Sequence, residues 1–377
     1  MTLAGHRQDN ITLAASSGQA GYRFETTREL ADPLWDAFLE HTPGGYYAQS
    51  SLWAQVKASL GWQVVRIKLI SQQQIIAGVQ ILARPIPLVG AAGYVPRGPV
   101  QAQGHPAWTQ QLLDQMCESA REHRHQVLLM QPADQAINDL LLERGFRLTK
   151  REVAPLYTLQ LDLSASPDDL LAGMERGTRY NIHLSQRKEI AVREGTAADL
   201  PAFCQLLRQT GERQGFAVSP PEFFDELWRL FAPGGHVKLY VAQYAGEIVS
   251  AQLMILFGDH AVNKFTVWSG AHGNRKPNEA VMWAAIMGAR QAGYRCYDFG
   301  GLSYKVAQPV LRGEPLPERQ KGSVGSFKLR FGGQVVAYPP THLLATNPLV
   351  RWLDDRLTAD AENSRLAKNY LHRLRTR

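Results

Sequence analysis

Three cations stand out in this sequence because of the residues set around them. Lys328 lies in Gly325-Ser-Phe-Lys-Leu-Arg-Phe-Gly-Gly333, and a second glycine pair closes the strand-like Arg295-Cys-Tyr-Asp-Phe-Gly-Gly301. Paired glycines reach positive φ and let a ligand come close to the main chain. A lysine between two such pairs can meet an anionic or oxyanionic group. A plain strand end and tight turn explains the same letters. Lys57 follows Trp53 by four residues, which sets a cation beside an aromatic on neighbouring helix positions. A lysine snorkelling over a surface indole would look identical. Arg97 sits in Gly93-Tyr-Val-Pro-Arg-Gly-Pro-Val100, where prolines and glycine hold it in a rigid, extended segment. An arginine with little entropy to lose suits a phosphate or carboxylate, although a turn arginine is the ordinary alternative.

A fourth group is collective. Arg176, Arg179, His183 and Arg187 fall within about a quarter-turn of one another at the helical period, and Lys188 extends the basic end. Leu171, Met174, Ile182 and Ser185 take the opposite side and can pack. Glu175 is the one acid in this stripe, so phosphate contact and a solvated charged face both fit it.

The elements that must position these residues are legible as alternating helical and strand-like patterns, a mixed α/β class. Leu30, Leu34 and Phe38 mark a helix over 29–40, and Ser50 or Ser51 caps a second with an apolar stripe at Leu52, Val56 and Leu60. Strands are predicted at 63–70 and 75–83, a helix at 109–122, a strand at 126–130, and a short helix, glycine stop and strand up to residue 148. A second run starts with a strand at 157–163 and a long helix over 168–187. Helices at 199–212 and 221–231 follow, then a three-strand meander over 237–268 and a helix at 278–293. Residues 302–322 read as a loop, and 343–377 as a C-terminal helix pair with a basic end. Residues 1–20 are small and polar and read as disordered.

A chain of 377 residues is long for one core and implies two domains. The net charge of +7 favours anionic partners such as phosphates, nucleic acid or a membrane surface. Three scattered cysteines make neither a disulfide framework nor a zinc site, which implies a reducing compartment. No apolar run reaches the roughly 18 residues of a membrane span, so a cytosolic protein is expected. The sequence has no P-loop, no dinucleotide glycine fingerprint, no Gly-x-Ser-x-Gly elbow and no clustered metal ligands. No cofactor is expected.

Several segments, taken in order from about residue 22 to 340, resemble the Fem family of tRNA-dependent peptidoglycan aminoacyltransferases. They are Tyr47-Ala-Gln-Ser-Ser-Leu-Trp-Ala-Gln-Val-Lys57 with Gly61-Trp62, Tyr94-Val-Pro-Arg-Gly-Pro99, Arg176-Gly-Thr-Arg-Tyr-Asn-Ile182, Gly211-Glu-Arg-Gln-Gly-Phe216, Pro277-Asn278 through Trp283, Tyr297-Asp-Phe-Gly-Gly301 and the Lys328 stretch. The resemblance implies two tandem GNAT-like acyltransferase domains, 21–155 and 156–340. The first would be completed by 341–377, and no helical arm is inserted. It implies transfer of an amino acid from aminoacyl-tRNA to the stem-peptide amine of a UDP- or lipid-linked muropeptide. A peripheral place at the cytoplasmic membrane face is compatible with that chemistry, and the oligomeric state is not legible.

By the same resemblance Lys57 helps hold the precursor's diphosphate, with Trp53, Tyr94, Arg97 and Arg213 counted beside it. Phe327 and Lys328 serve the aminoacyl-tRNA and stabilise charge during acyl transfer. Arg176, Arg179, Arg187, Lys188, Lys305 and Lys321 are the expected tRNA contacts, the last two in a cover over the anionic donor. Two departures stand out: Gln131 replaces an expected aspartate, and Val218-Ser219 replace an expected arginine. Aminolysis of an ester needs a free amine, proximity and positive charge at the oxyanion, and no enzyme nucleophile. An acyl-CoA-dependent N-acyltransferase of a polysaccharide or surface precursor is one alternative, although its Arg/Gln-x-x-Gly-x-Gly/Ala loop has no clean copy here. A non-catalytic protein binding tRNA or an anionic surface is the other.

Overall fold

A computed structural model describes residues 21–86 and 90–346 of the chain. The residues fall into two compact units, one holding the chain up to Val153 with the returning strand His342–Ala345, the other Ala154–Pro339. The reading of 1–20 as disordered lies outside the described residues.

In the first unit β1 (Tyr22–Thr27), β2 (Gln63–Ser71), β3 (Gln74–Ile86), β4 (Gly90–Pro96), β5 (Val100–Gln101), β6 (His125–Gln131) and β7 (Arg147–Leu148) form one sheet with His342–Ala345. Strands β1 to β4 are successive antiparallel neighbours, β4 and β6 are parallel, and His342–Ala345 slots between β6 and β7. Helices α1 (Pro33–Glu40), α2 (Ser51–Ala58), α3 (Pro106–Glu122) and α4 (Asn138–Glu143) complete the unit. Leu112, Leu113, Met116, Cys117 and Ala120 of α3 recur at helical spacing and pack on Ile67, Val79, Ile81 and Leu128 of the sheet.

The second unit repeats the plan. Its sheet is β14-β8-β13-β12-β11-β10-β9, made of β8 (Tyr157–Asp162), β9 (Ala191–Glu194), β10 (Val237–Tyr244), β11 (Glu247–Phe257), β12 (His260–Trp268), β13 (Cys296–Leu302) and β14 (Gln334–Ala337). Here β12 and β13 are the parallel pair, joined by a helical crossover. The helices are α5 (Pro167–Ala172), α6 (Arg176–Arg187), α7 (Leu200–Gln214), α8 (Pro221–Phe231), α9 (Pro277–Gln291), α10 (Tyr304–Leu311) and α11 (Val324–Leu329). The longest of these have 15 residues, and no long helical arm is inserted among the described residues.

Four local expectations are corrected. The helix placed at 29–40 begins at Pro33, where the Asp32 carboxylate accepts from the Trp35 N–H, and its buried face is Trp35 and Leu39. Leu30 and Leu34 are exposed, because the larger indole takes the core and donates to the Gln49 carbonyl at 2.7 Å. The single helix over 168–187 is two: Gly173 to Glu175 break it, and the Glu175 N–H donates to the Arg330 carbonyl instead. Residues 302–322 are not a bare loop, for α10 is anchored by buried Val306 and Ala307 and by Gln308 donating to the Tyr157 hydroxyl. Residues 342–345 are strand rather than the start of a helix pair, and the rest of that segment lies outside the described residues.

Candidate functional site

In the first unit the site is built where α2 starts and β4 ends. Ser50 caps α2 by accepting from the Trp53 N–H. Gln49, fully buried, donates to the carbonyls of Pro96 (3.0 Å) and Gln80 (3.1 Å) and accepts from the Gln80 N–H (2.8 Å). Three bonds from one side chain therefore bolt the entry of α2 to β3 and to the end of β4. Farther back, buried Arg66 donates to Gln80 and Asp32, and Lys68 also reaches Asp32. Buried charges of this kind persist only when paired, and these tie α1 and α2 to the sheet.

That frame delivers Trp53 and Lys57 from α2 and Tyr94 and Arg97 from β4 and the turn after it. Lys57 is only 6% exposed and Arg97 7%, so neither snorkels. The Lys57 ammonium lies 4.7 Å from the Trp62 ring centre, and the Arg97 guanidinium 4.6 Å from that of Tyr46. Trp62 meets Tyr94 edge-on, as Tyr47 meets Trp53. Such desolvated cation–π pairs are worth about 2 kcal/mol each. Tyr94 accepts from the Trp53 indole, and burial pushes its phenol well above the usual range. Arg97 adopts φ 52°, and its N–H donates to the Gln131 carbonyl at 2.7 Å. The result is a box of two buried cations among five aromatic rings, suited to an anion with an apolar or planar companion.

In the second unit β12 and β13 pair at only three positions, His260–Cys296 to Val262–Asp298, and then part. A bulge in the β11–β12 pairing, between Leu253 and Met254, falls beside the parting, and the β13–β8 register also slips between Asp298 and Gly301. Gly300 has φ 74°, and a Cβ there would lie 2.8 Å from the Asn263 carbonyl, so only glycine fits. Helix α11 starts at Ser323, whose hydroxyl accepts from the Ser326 N–H, and it presents Lys328 to this gap. The Lys328 ammonium donates to the Gly301 carbonyl at 3.0 Å. Burial lowers its pKa from the ordinary 10.5 to about 8, with the charge of Asp298 pulling the other way. Phe327 packs edge-on against buried Phe331 and so holds α11 in place.

The remaining expected site residues divide. Arg176, Arg187 and Lys188 are exposed, and Arg187 lies over the exposed ring of Tyr180. Arg179 does not join them: its guanidinium donates to the carbonyls of Leu171, Ala172 and Met174 at the end of α5. The same four-residue spacing that suggested a stripe lets Arg179 fold back onto the unsatisfied carbonyls of the preceding helix. Arg213 is also taken up by its own chain. It donates to the carbonyls of Trp268 and Ser269 and to the Thr210 hydroxyl, which fixes the turn between β12 and α9. Lys305 is exposed on α10, and Lys321 is exposed and paired with Glu318. Gln49 and Tyr180 were missed, since a glutamine in a turn and a tyrosine among arginines carry no pattern of their own. Among the described residues no group of three His, Cys, Asp or Glu is arranged to hold a metal.

Residues 30–141 match the FemAB family, and residues 174–306 match an acetyltransferase (GNAT) domain. A lipid II:glycine glycyltransferase of Staphylococcus saprophyticus is 25% identical over 227 residues, 57% of this chain and 55% of that protein. One from Staphylococcus epidermidis is 27% identical over 221 residues, 55% of this chain and 53% of that protein. The chain thus spans about half the length of these relatives. Among solved structures, FemX superposes with a TM-score of 0.73 at 18% identity, over 88% of this chain and 100% of FemX. L-PGS from Bacillus licheniformis gives 0.53 at 13%, over 88% and 98%. These structural likenesses show the fold, two mixed sheets of GNAT type. The FemAB match falls on the segment that builds the cation–aromatic box, and there the chain is similar to the Fem family.

Proposed function

We propose that the protein is an aminoacyltransferase that moves an amino acid from aminoacyl-tRNA to the stem-peptide amine of a muropeptide. The observation that carries this reading is Lys328: an ammonium with a lowered pKa, held by the Gly301 carbonyl where two parallel strands part. The free amine attacks the ester carbonyl carbon, and the carbonyl electrons move onto oxygen. Lys328 stabilises that oxyanion as charge develops, and the Gly301 carbonyl keeps the ammonium from drifting. Collapse re-forms the carbonyl and expels the ribose oxygen, which takes the proton given up by the attacking nitrogen. No enzyme nucleophile is required.

Lys57 and Arg97 take the acceptor's phosphates, and the surrounding rings favour a planar or apolar part of the same molecule. Arg213 is left out of that clamp, because its Nη1 and Nη2 groups hold the turn after β12. Arg176, Arg187 and Lys188 offer an exposed basic face to RNA, with Tyr180 beside them to stack on a base. The names of the relatives support glycine as donor residue and a lipid-linked acceptor, which would bring the protein to a membrane surface. The GNAT match and the parted strands favour one other reading, transfer from an acyl-CoA.

The test is incubation with glycyl-, alanyl- and seryl-tRNA, each labelled in the amino acid, alongside lipid-linked and UDP-linked muropeptide. Label in either muropeptide is the expected result, with glycine and the lipid-linked form strongest. Label passed from acetyl-CoA and from none of the charged tRNAs would overturn the reading.

A further inference from the structure

Asp298 is a buried carboxylate, 5% exposed, that the proposed reaction leaves without a task. Its Oδ1 accepts from the Gly300 N–H at 2.7 Å and from the Thr158 hydroxyl, and its Oδ2 from the Gln160 amide at 3.3 Å. The Thr158 hydroxyl also lies 3.0 Å from the Gly300 carbonyl, the alternative acceptor for its one proton, so β8 brackets the turn that Asp298 holds by the Gly300 N–H. The next carbonyl along, that of Gly301, is the one that receives Lys328. A continuous set of bonds therefore runs from β8 through Asp298 and the glycine turn to the ammonium.

We propose that Asp298 is the positioning residue for Lys328. It locks the glycine turn so that the Gly301 carbonyl anchors the ammonium, and its fixed negative charge keeps that group a cation. The inference rests on the reading of Lys328 as the cation that meets the oxyanion.

The surroundings leave Asp298 as the source of the charge effect. From β8, Thr158 and Gln160 are neutral, and from β12, Asn263 and Thr266 are neutral and bonded to each other. On α11 itself Phe327 is apolar, and Arg330 is turned to the Lys321 carbonyl and Glu175. Burial disfavours the ammonium and Asp298 opposes it. With the carboxylate neutralised, only the burial effect remains, and Lys328 becomes the free amine over more of the neutral range. A neutral amine cannot stabilise an oxyanion by charge.

Competitive acetylation of the free protein with acetic anhydride across pH, followed by mass spectrometry of the Lys328 peptide, reads the protonation midpoint of Lys328 without any substrate. Asp298→Asn keeps the shape and the acceptor for the Gly300 N–H while removing the charge. The expected midpoint moves from about 8 in the native protein to lower pH by about one unit, a tenfold change in proton affinity. An unchanged midpoint in a variant that melts like the native protein would reduce Asp298 to a turn clamp and sink the proposal. If Asp298→Asn does not fold, the ¹³C shift of the native Asp298 carboxyl is followed instead. It should move with the same midpoint as Lys328 labelling, and no movement there is equally fatal. A shifted Lys328 midpoint without any transfer from charged tRNA would leave this inference standing and remove the transferase reading.

Discussion

The two units differ most at their parallel strand pairs. In the first, β4 and β6 stay paired from Ala91 to Pro96, and the Arg97 N–H adds one more bond to Gln131 beyond the strand end. In the second, β12 and β13 release each other after three positions. The zipped pair leaves no room between its strands, and Gln49 takes the Pro96 carbonyl at its end. Its cations are displaced to the side and buried against aromatic rings. The parted pair leaves the Gly301 carbonyl facing the gap, and Lys328 closes on it. One fold thus holds a closed cation–aromatic box in one unit and an opened strand pair in the other, and the local difference lies in where main-chain hydrogen bonds are spent.

The comparison breaks first at Lys328. Lys328→Ala should lower turnover of charged tRNA by about 10²–10³-fold with the acceptor KM nearly unchanged, since it removes a charge felt in the transition state. In the native protein the Lys328-dependent rate should fall as pH rises through about 8, because the cation is the working form. A rate that instead rises there would make Lys328 a base and not an oxyanion partner.

The box of the first unit should respond in the opposite sense. Lys57→Ala is expected to raise the acceptor KM roughly 10- to 100-fold while turnover under saturation stays within a few-fold, the cost of one charged hydrogen bond. Steady-state kinetics with varied muropeptide separates the two. If Lys57→Ala behaves like Lys328→Ala, the division of labour between box and gap is wrong.

The smallest effect concerns the closure itself. Gln49→Leu strips partners from the Pro96 and Gln80 main chain, and should cost about 2 kcal/mol of stability. Denaturant unfolding monitored by tryptophan fluorescence should show a lowered midpoint with the slope preserved. No measurable loss would mean that the zipped strands, and not Gln49, hold α2 in register.

Much of this molecule was legible as letters. The helix at 221–231 was placed at its observed bounds, and the meander over 237–268 at its observed outer ends, because alternation and helical spacing are local properties. Errors arose where a distant partner decided. Leu30 and Leu34 fit a helical stripe, yet the Trp35 indole found the Gln49 carbonyl and turned the helix. Arg179 and Arg213 read as plain cations in sequence, and in the fold both donate to carbonyls of neighbouring turns. Lys57 read equally well as a surface residue, since a four-residue spacing from Trp53 says nothing about burial.

The sequence by itself determined the mixed α/β class, the order of motifs and the cations Lys57, Arg97 and Lys328. Each of those depends on residue type, periodicity or short-range glycine and proline geometry. Only the tertiary structure decided which strand pair parts, which cations fold back onto neighbouring carbonyls and that Asp298 stands behind Lys328. Those facts depend on hydrogen bonds between residues as far apart as Thr158 and Asp298, and no local spacing encodes them.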